Sequence, residues 1–287
     1  MFKTIKLNKE YWGKKIPNLK YGTPNPLNAF STDRDKFSDA MTTFKFLGVF
    51  KTTQAGRHKE TQQFLKTYLV NFPNQLTILD IGASDGITSL DFINVINDSI
   101  KKYYVTDYNI KCTYYSYKGY TYFFDHAKNC FLVASEKFVF YPTDKKLFDF
   151  IFKKSLKKIK NFSKQELLLI NSGLKEKKEG NEAIEIMEYN VFEAWPKEKA
   201  DVVVVGNLLN KAYFDDAQIE TALNNCYNAL QENGILTIIR NILQENGEEI
   251  ERSTIYKKNE SAKIFNKVHE INGGIEIDEF VSSLSFK

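Results

Sequence analysis

Three small residues and two carboxylates define the chemistry open to this chain. The run Leu76-Thr-Ile-Leu-Asp-Ile-Gly-Ala-Ser-Asp-Gly86 ends an apolar stretch at Asp80 and Ile81 and then turns through Gly82, Ala83, Ser84 and Gly86. A corner of this kind, strand into small-residue turn into helix, aims backbone N–H groups at a nucleotide-like ligand. A second apolar stretch, Tyr104-Val-Thr-Asp-Tyr108, ends at Asp107, 21 residues beyond Gly86. A carboxylate at such a place accepts from both hydroxyls of a ribose. The plain structural alternative is an ordinary corner in which Gly82 and Gly86 serve only the turn and Asp107 only ends a strand.

The spacing of the small residues separates two ligand classes. The dinucleotide pattern G-x-G-x-x-G, begun at Gly82, puts Ser84 second and Ile87 third. Isoleucine there blocks the close approach of helix and strand that the third glycine permits. The pattern acid-x-G-x-G-x-G instead reads Asp80, Gly82, Ser84, Gly86, with serine its one departure. This resembles motif I of the class I S-adenosylmethionine-dependent methyltransferases.

The resemblance implies S-adenosyl-L-methionine as cofactor and methyl transfer to oxygen, nitrogen or sulfur of an acceptor that is a small molecule, a sugar or a peptide. It implies an α/β fold with a doubly wound, mostly parallel seven-stranded sheet, N-terminal helices and, here, an inserted aromatic β/helical segment. It places Asp80, Gly82, Ala83, Ser84 and Gly86 at the cofactor, with Asp107 and Tyr108 beside its ribose. Asn190 stands where the adenine amino group is met, under cover of Val191 or Phe192, although a turn asparagine fits equally. Asn207 and Leu208 stand near the methionine end. Arg57 is the candidate partner of the cofactor's carboxylate, against a reading as a solvated helix-start residue. His58 has the ordinary pKa of a general base and Tyr213 the position of an acceptor-pocket residue, but no catalytic base is assigned. The activated sulfonium needs none unless the acceptor must lose a proton.

Residues 201–240 also resemble the chemotaxis-receptor methyltransferases, with Gly206 in place of their arginine and a longer spacing to Tyr213-Phe214. A protein carboxyl methyltransferase is therefore one alternative. A noncatalytic methyltransferase-like subunit is another, motivated by Ser84 and Asn190. A nicotinamide-dependent oxidoreductase is a third, opposed by Ile87.

Composition narrows the partners. The 287 residues carry 43% hydrophobic and 26% charged side chains, ordinary for a globular protein. The net charge of +4 rests on lysine, with arginine only at positions 34, 57, 240 and 252. Specific nucleic-acid readers lean on arginine, so no such partner is expected. Three cysteines without C-x-x-C spacing and three scattered histidines exclude a zinc ribbon and fit a reducing cytoplasm. The N-terminal residues lack the apolar core of a signal peptide, and no apolar run is long enough to span a bilayer.

Apolar periodicity places the elements. Residues 1–30 read as an irregular arm, followed by a helix from Ser31 or Thr32 to about Phe50; together they form an N-terminal region over 1–56. The core, 57–287, begins with a helix ending at the Pro73-Asn74 turn. Strands are expected at Leu76–Ile81, Tyr103–Thr106, Ala183–Met187, Asp201–Val205 and Ile235–Ile239, with helices at Gly86–Ile96 and Asp216–Gln231. The resemblance adds two antiparallel strands near 252–270 and a final helix.

An insertion over 108–180 holds an aromatic meander and a basic amphipathic helix, Lys145–Phe162. Eleven lysines against five acids over 143–180 give it about +6. The meander is the candidate acceptor-side cap or, equally, a small hydrophobic core. For the helix the expectation is an apolar face packed on the domain with its lysines in water, rather than peripheral contact with a membrane.

Overall fold

The computed structural model describes residues 3–46, 49–51, 53–72, 75–96, 99–244 and 247–286. The expected turn at Pro73-Asn74 lies outside the described residues. The chain forms two units, Met1–Thr53 with Asn109–Ser172, and Gln54–Tyr108 with Gly173–Lys287.

In chain order the elements begin β1 (Ile5–Asn8), α1 (Lys9–Trp12), β2 (Gly22–Thr23), α2 (Arg34–Met41), β3 (Lys45–Phe46), β4 (Val49–Phe50) and α3 (Lys59–Leu69). Next come β5 (Leu76–Ile81), α4 (Ile87–Ile96), β6 (Ile100–Asp107), β7 (Lys111–Tyr117), β8 (Tyr120–Phe124), β9 (Cys130–Ala134) and β10 (Phe138–Phe140). They continue with α5 (Lys145–Ile159), β11 (Gln165–Leu168), α6 (Ser172–Lys178), β12 (Ile184–Glu188), β13 (Ala200–Gly206) and α7 (Asp216–Ala229). The chain closes with β14 (Leu230–Leu243), β15 (Glu249–Asn259), β16 (Ile264–Ile271) and α8 (Asp278–Ser283).

The second unit holds the sheet β12-β6-β5-β13-β14-β15-β16. Its first five strands are mutually parallel, and β15 and β16 run antiparallel. This is the doubly wound, mostly parallel seven-stranded sheet expected, including the two antiparallel strands and the final helix. All six residues of β5 are buried, because helices cover both faces. Leu79, Ile81, Val203 and Val205 join Ile219, Leu223 and Cys226 of α7 in one core. Asp80 and Val204, pointing the other way, line a small cavity together with Leu65 of α3 and Phe92 of α4. Strand order reverses between β5 and β13, so the carboxyl ends of these two strands flank the fold's natural ligand crevice.

The first unit is a second sheet, β11-β7-β8-β9-β10-β1-β2. The aromatic meander is present: Lys118 and Gly119, both at positive φ (51° and 76°), make the two-residue turn between β7 and β8. Its aromatics alternate faces. Phe123 packs with Phe37 and Met41 of α2, while Tyr122 packs with Phe148 and Phe152 of α5. Helices thus cover both sides, and the hydrophobic-core reading of the meander describes this unit.

Two expectations fail. Residues 1–30 are not an irregular arm: β1 pairs antiparallel with β10 and parallel with β2, extending the meander. The helix expected to reach Phe50 stops at Met41. Thr42 and Thr43 turn their hydroxyls back onto the carbonyls of Asp39 and Ala40, each at 2.6 Å, and the chain leaves the helix into β3.

Candidate functional site

The corner after β5 is built from residues at positive φ: Gly82 at 76°, Ser84 at 58° and Gly86 at 80°. Only glycine takes this region without steric cost, so Ser84 holds a conformation its side chain opposes. Four hydrogen bonds fix the turn. Ala83 N–H donates to the Thr106 carbonyl (2.9 Å), Gly86 N–H to the Ala83 carbonyl (2.9 Å), and Ile87 N–H to Asp85 Oδ1 (3.0 Å). The fourth runs from Ser84 N–H to Asp107 Oδ2, 2.9 Å, and joins the corner to the end of β6.

Packing makes both glycines necessary. A Cβ on Gly82 would sit 3.1 Å from Leu208 Cδ2, across the crevice at the end of β13. One on Gly86 would sit 2.2 Å from Leu174 Cδ2, so α6 seats a fully buried leucine on the last small residue of the turn. Ser84 Oγ is buried and has no hydrogen-bond partner among the described residues. A buried hydroxyl of this kind is what a bound polar ligand satisfies.

Asp80 does not face the crevice. It is buried beneath the corner, where its Oδ2 accepts from Ser89 Oγ (2.7 Å) and Tyr103 Oη (3.0 Å). Burial raises its pKa from 3.8 to about 6, against the opposing pull of those two donors. Its backbone carbonyl accepts from Thr106 Oγ1 at 2.8 Å, so Asp80 ties β5, α4 and β6 together below the turn. A cavity of about 20 Å³ lies beside it, lined by His58, Thr61, Gln62, Gly82 and Gly206 among others. That is room for one water molecule.

His58 is a buried residue at the start of α3. Its Nε2 lies 3.1 Å from Asn241 Oδ1 and 3.2 Å from Asn207 Nδ2, and the ring tautomer decides which contact is a hydrogen bond. Asn207 and Asn241 are themselves paired: Asn207 Nδ2 donates to Asn241 Oδ1 (2.8 Å) and Asn241 N–H donates to Asn207 Oδ1 (2.7 Å). Burial, reinforced by the Arg57 charge, lowers the pKa of His58 to about 4. A neutral imidazole locked in this way is a poor general base. Gly206 is small because His58 is there: a Cβ would stand 2.7 Å from its Cε1. The helix start is capped by Glu251 of β15, whose carboxylate accepts from Glu60 N–H (3.0 Å) and Thr61 N–H (2.9 Å).

The remaining expected residues divide. Arg57 is engaged by Glu249 in an ion pair through both Nε and Nη2. Asn190 closes its own turn: Oδ1 accepts from Phe192 N–H (3.1 Å) and Nδ2 donates to Glu193 (3.2 Å). The turn reading of Asn190 is the one its contacts describe. Val191 is buried and Tyr108 is exposed. Tyr213 is 39% exposed, with the Arg240 guanidinium 6.0 Å from its ring centre.

Sequence reasoning missed Asn241, Glu251 and Leu174. Each reaches the site only through pairing or packing of distant segments. Among the described residues no group of three or more His, Cys, Asp or Glu is arranged to hold a metal, and no helix is long and apolar enough to cross a membrane. Burial pushes the thiols of Cys112, Cys130 and Cys226 up to about 12, which disfavours their thiolate forms.

The fold and the corner define a class: an open α/β domain with a strand-order reversal, a small-residue turn and an acid at the neighbouring strand end. No protein-family model matches the chain, and no curated protein matches it. Solved structures similar to it include the methyltransferase CalH in complex with S-adenosylhomocysteine, at 16% identity over 65% of this chain and 37% of that one, with a TM-score of 0.36. An O-methyltransferase family protein from Burkholderia thailandensis matches at 14% identity over 77% and 45%, TM-score 0.35. The N-methyltransferase NodS from Bradyrhizobium japonicum, with S-adenosylhomocysteine, matches at 15% identity over 65% and 63%, TM-score 0.31. The chain spans less than half the length of the first two. Likeness at this level assigns neither family nor activity.

Proposed function

We propose that the unit Gln54–Tyr108 with Gly173–Lys287 binds S-adenosylmethionine at the Gly82–Gly86 corner and directs its methyl group to oxygen, nitrogen or sulfur of an acceptor. The observation that carries this reading is the pairing of a positive-φ corner with Asp107 at the adjoining strand end, where strand order reverses. The unpartnered Ser84 hydroxyl supports the fit.

In this reading Asp107 accepts the ribose hydroxyls, and Gly82, Ala83 and Ser84 present backbone to the ligand. Tyr108 lies beside the ribose, and Val191 or Phe192 covers the adenine. Asn207 and Leu208 border the methionine end, with Asn207 fixed by Asn241. Asp80 is a positioning residue that holds the corner from below. Arg57 and Asn190 receive no cofactor role, because Glu249 and the Asn190 turn occupy their side chains. His58 receives no role as base, and Tyr213 stays an acceptor-side candidate. When bound, the sulfonium supplies an already activated methyl group, so the chain's task is alignment of the acceptor and exclusion of water.

A noncatalytic form of the same unit is the second reading, favoured by Asn190, whose side chain closes its own turn. Calorimetric titration of the folded chain with S-adenosylmethionine, and separately with NAD, tests the proposal. Binding of the first and not the second is expected. No heat with S-adenosylmethionine from a cooperatively melting chain overturns it. Tight binding without turnover on any acceptor favours the second reading.

A further inference from the structure

Helix α5 has two faces with opposite demands. One packs Phe148, Phe152 and Ile159 onto the aromatic sheet of its own unit. The other faces away from that sheet and should be wholly polar in a helix of this kind. It is not: Phe150 is 89% exposed, and Ile151 beside it is 39% exposed.

Helical spacing puts Phe150 at the centre of this outward face. Lys146 and Lys154 stand one turn before and after it, Lys153 three residues on and Lys157 seven. All four lysines are exposed, and Asp149 is the one acid within the helix. A ring of ammonium groups around a protruding phenylalanine matches two properties of one partner, an apolar interior beneath a negatively charged surface. Lysine stems reach several carbons from the backbone, so their heads remain in a polar layer while the ring passes below it.

We propose that the outward face of α5 docks on an anionic lipid surface, with Phe150 inserted and Lys146, Lys153, Lys154 and Lys157 against the headgroups. A second copy of the chain is disfavoured as occupant, because it would bring the same positive face. Nucleic acid is disfavoured because α5 carries no arginine for bidentate phosphate contacts. The inference is independent of the proposed methyl transfer.

The test is co-sedimentation of the full chain with vesicles of phosphatidylcholine alone and with vesicles containing about one-third phosphatidylglycerol, at low and high salt. Binding only to the anionic vesicles, falling with salt, is expected. Phe150→Ser keeps every charge and removes no internal packing; it should weaken vesicle partitioning about tenfold. Replacing Lys146, Lys153 and Lys157 by glutamine should abolish the preference for anionic lipid. S-adenosylmethionine titration of the same variants separates this proposal from the cofactor reading, since neither change should alter it. Equal binding to both vesicle types, an unaffected Phe150→Ser variant, or stronger retention on single-stranded RNA than on anionic vesicles each overturns the proposal.

Discussion

Ser84 donates its backbone N–H to Asp107 Oδ2 at 2.9 Å, so the strained turn after β5 and the acid ending β6 form one rigid piece. A residue expected to grip a ligand also braces the loop expected to cradle it. Consequences of that coupling, and of the buried groups beneath it, can be measured.

Ser84→Gly should separate stability from binding. Ser84 sits at φ 58° with its hydroxyl buried and unpartnered. Glycine removes both penalties, and a gain of about 1 kcal/mol in urea unfolding is expected. If the hydroxyl meets the cofactor, the stabilised variant binds S-adenosylmethionine less tightly than the wild type.

Asp80 and His58 should bend the pH–stability curve in opposite directions over the same range. The Asp80 pKa is raised from 3.8 to about 6, so between those values the native state holds a proton the unfolded chain has lost, and stability falls as pH rises. The His58 pKa is lowered from 6.5 to about 4, so there the unfolded chain holds the extra proton, and stability rises with pH. The two trends offset each other in the wild type. Asp80→Asn, which retains an acceptor for Ser89 and Tyr103, should leave a curve that rises from about pH 4 to 6.5, each group contributing on the order of 3 kcal/mol across its window. His58→Gln should leave one that falls. Denaturant unfolding at a series of pH values checks both.

The ring signals of His58 should stay those of a neutral imidazole down to about pH 5. Titration by NMR reads this directly, and a midpoint near 6.5 would show that the ring is not enclosed by Asn207, Asn241 and Gly206.

Gly206→Ala should cost about 1–3 kcal/mol, because the new methyl group would lie 2.7 Å from His58 Cε1. The same substitution combined with His58→Ala should be far less costly than the sum of the single changes, since the clash is between those two side chains.

What the sequence disclosed follows from how local each signal is. β5 is a six-residue apolar run, the corner is marked by its own small residues, and the turn at Lys118-Gly119 lies between two aromatic runs. Each is decided by neighbours in the chain. The N-terminal strand is not: Ile5 finds Phe140 across the sheet, and a four-residue strand carries too little pattern to announce that partner. In the same way Arg57 is open to a ligand until β15 brings Glu249 beside it, and His58 is a candidate base until β14 supplies Asn241. Asn190 was ambiguous because the side chain that can meet an adenine can also close a turn, and here it closes the turn. Phe150 lies off the apolar face that packs on the sheet, and its exposure in the folded unit shows the second face.

The central claim is that Asp107 and the Gly82 corner hold an adenosyl sulfonium. The most direct measurement is the affinity for S-adenosylmethionine of the wild type, Asp107→Asn and Asp107→Ala by calorimetry, with thermal melts alongside. Asparagine keeps an acceptor for Ser84 N–H but loses the charge offered to the ribose, so about a ten- to hundredfold loss of affinity with a preserved melt is predicted. Unchanged affinity in both variants, or no binding by a folded wild type, would contradict the account.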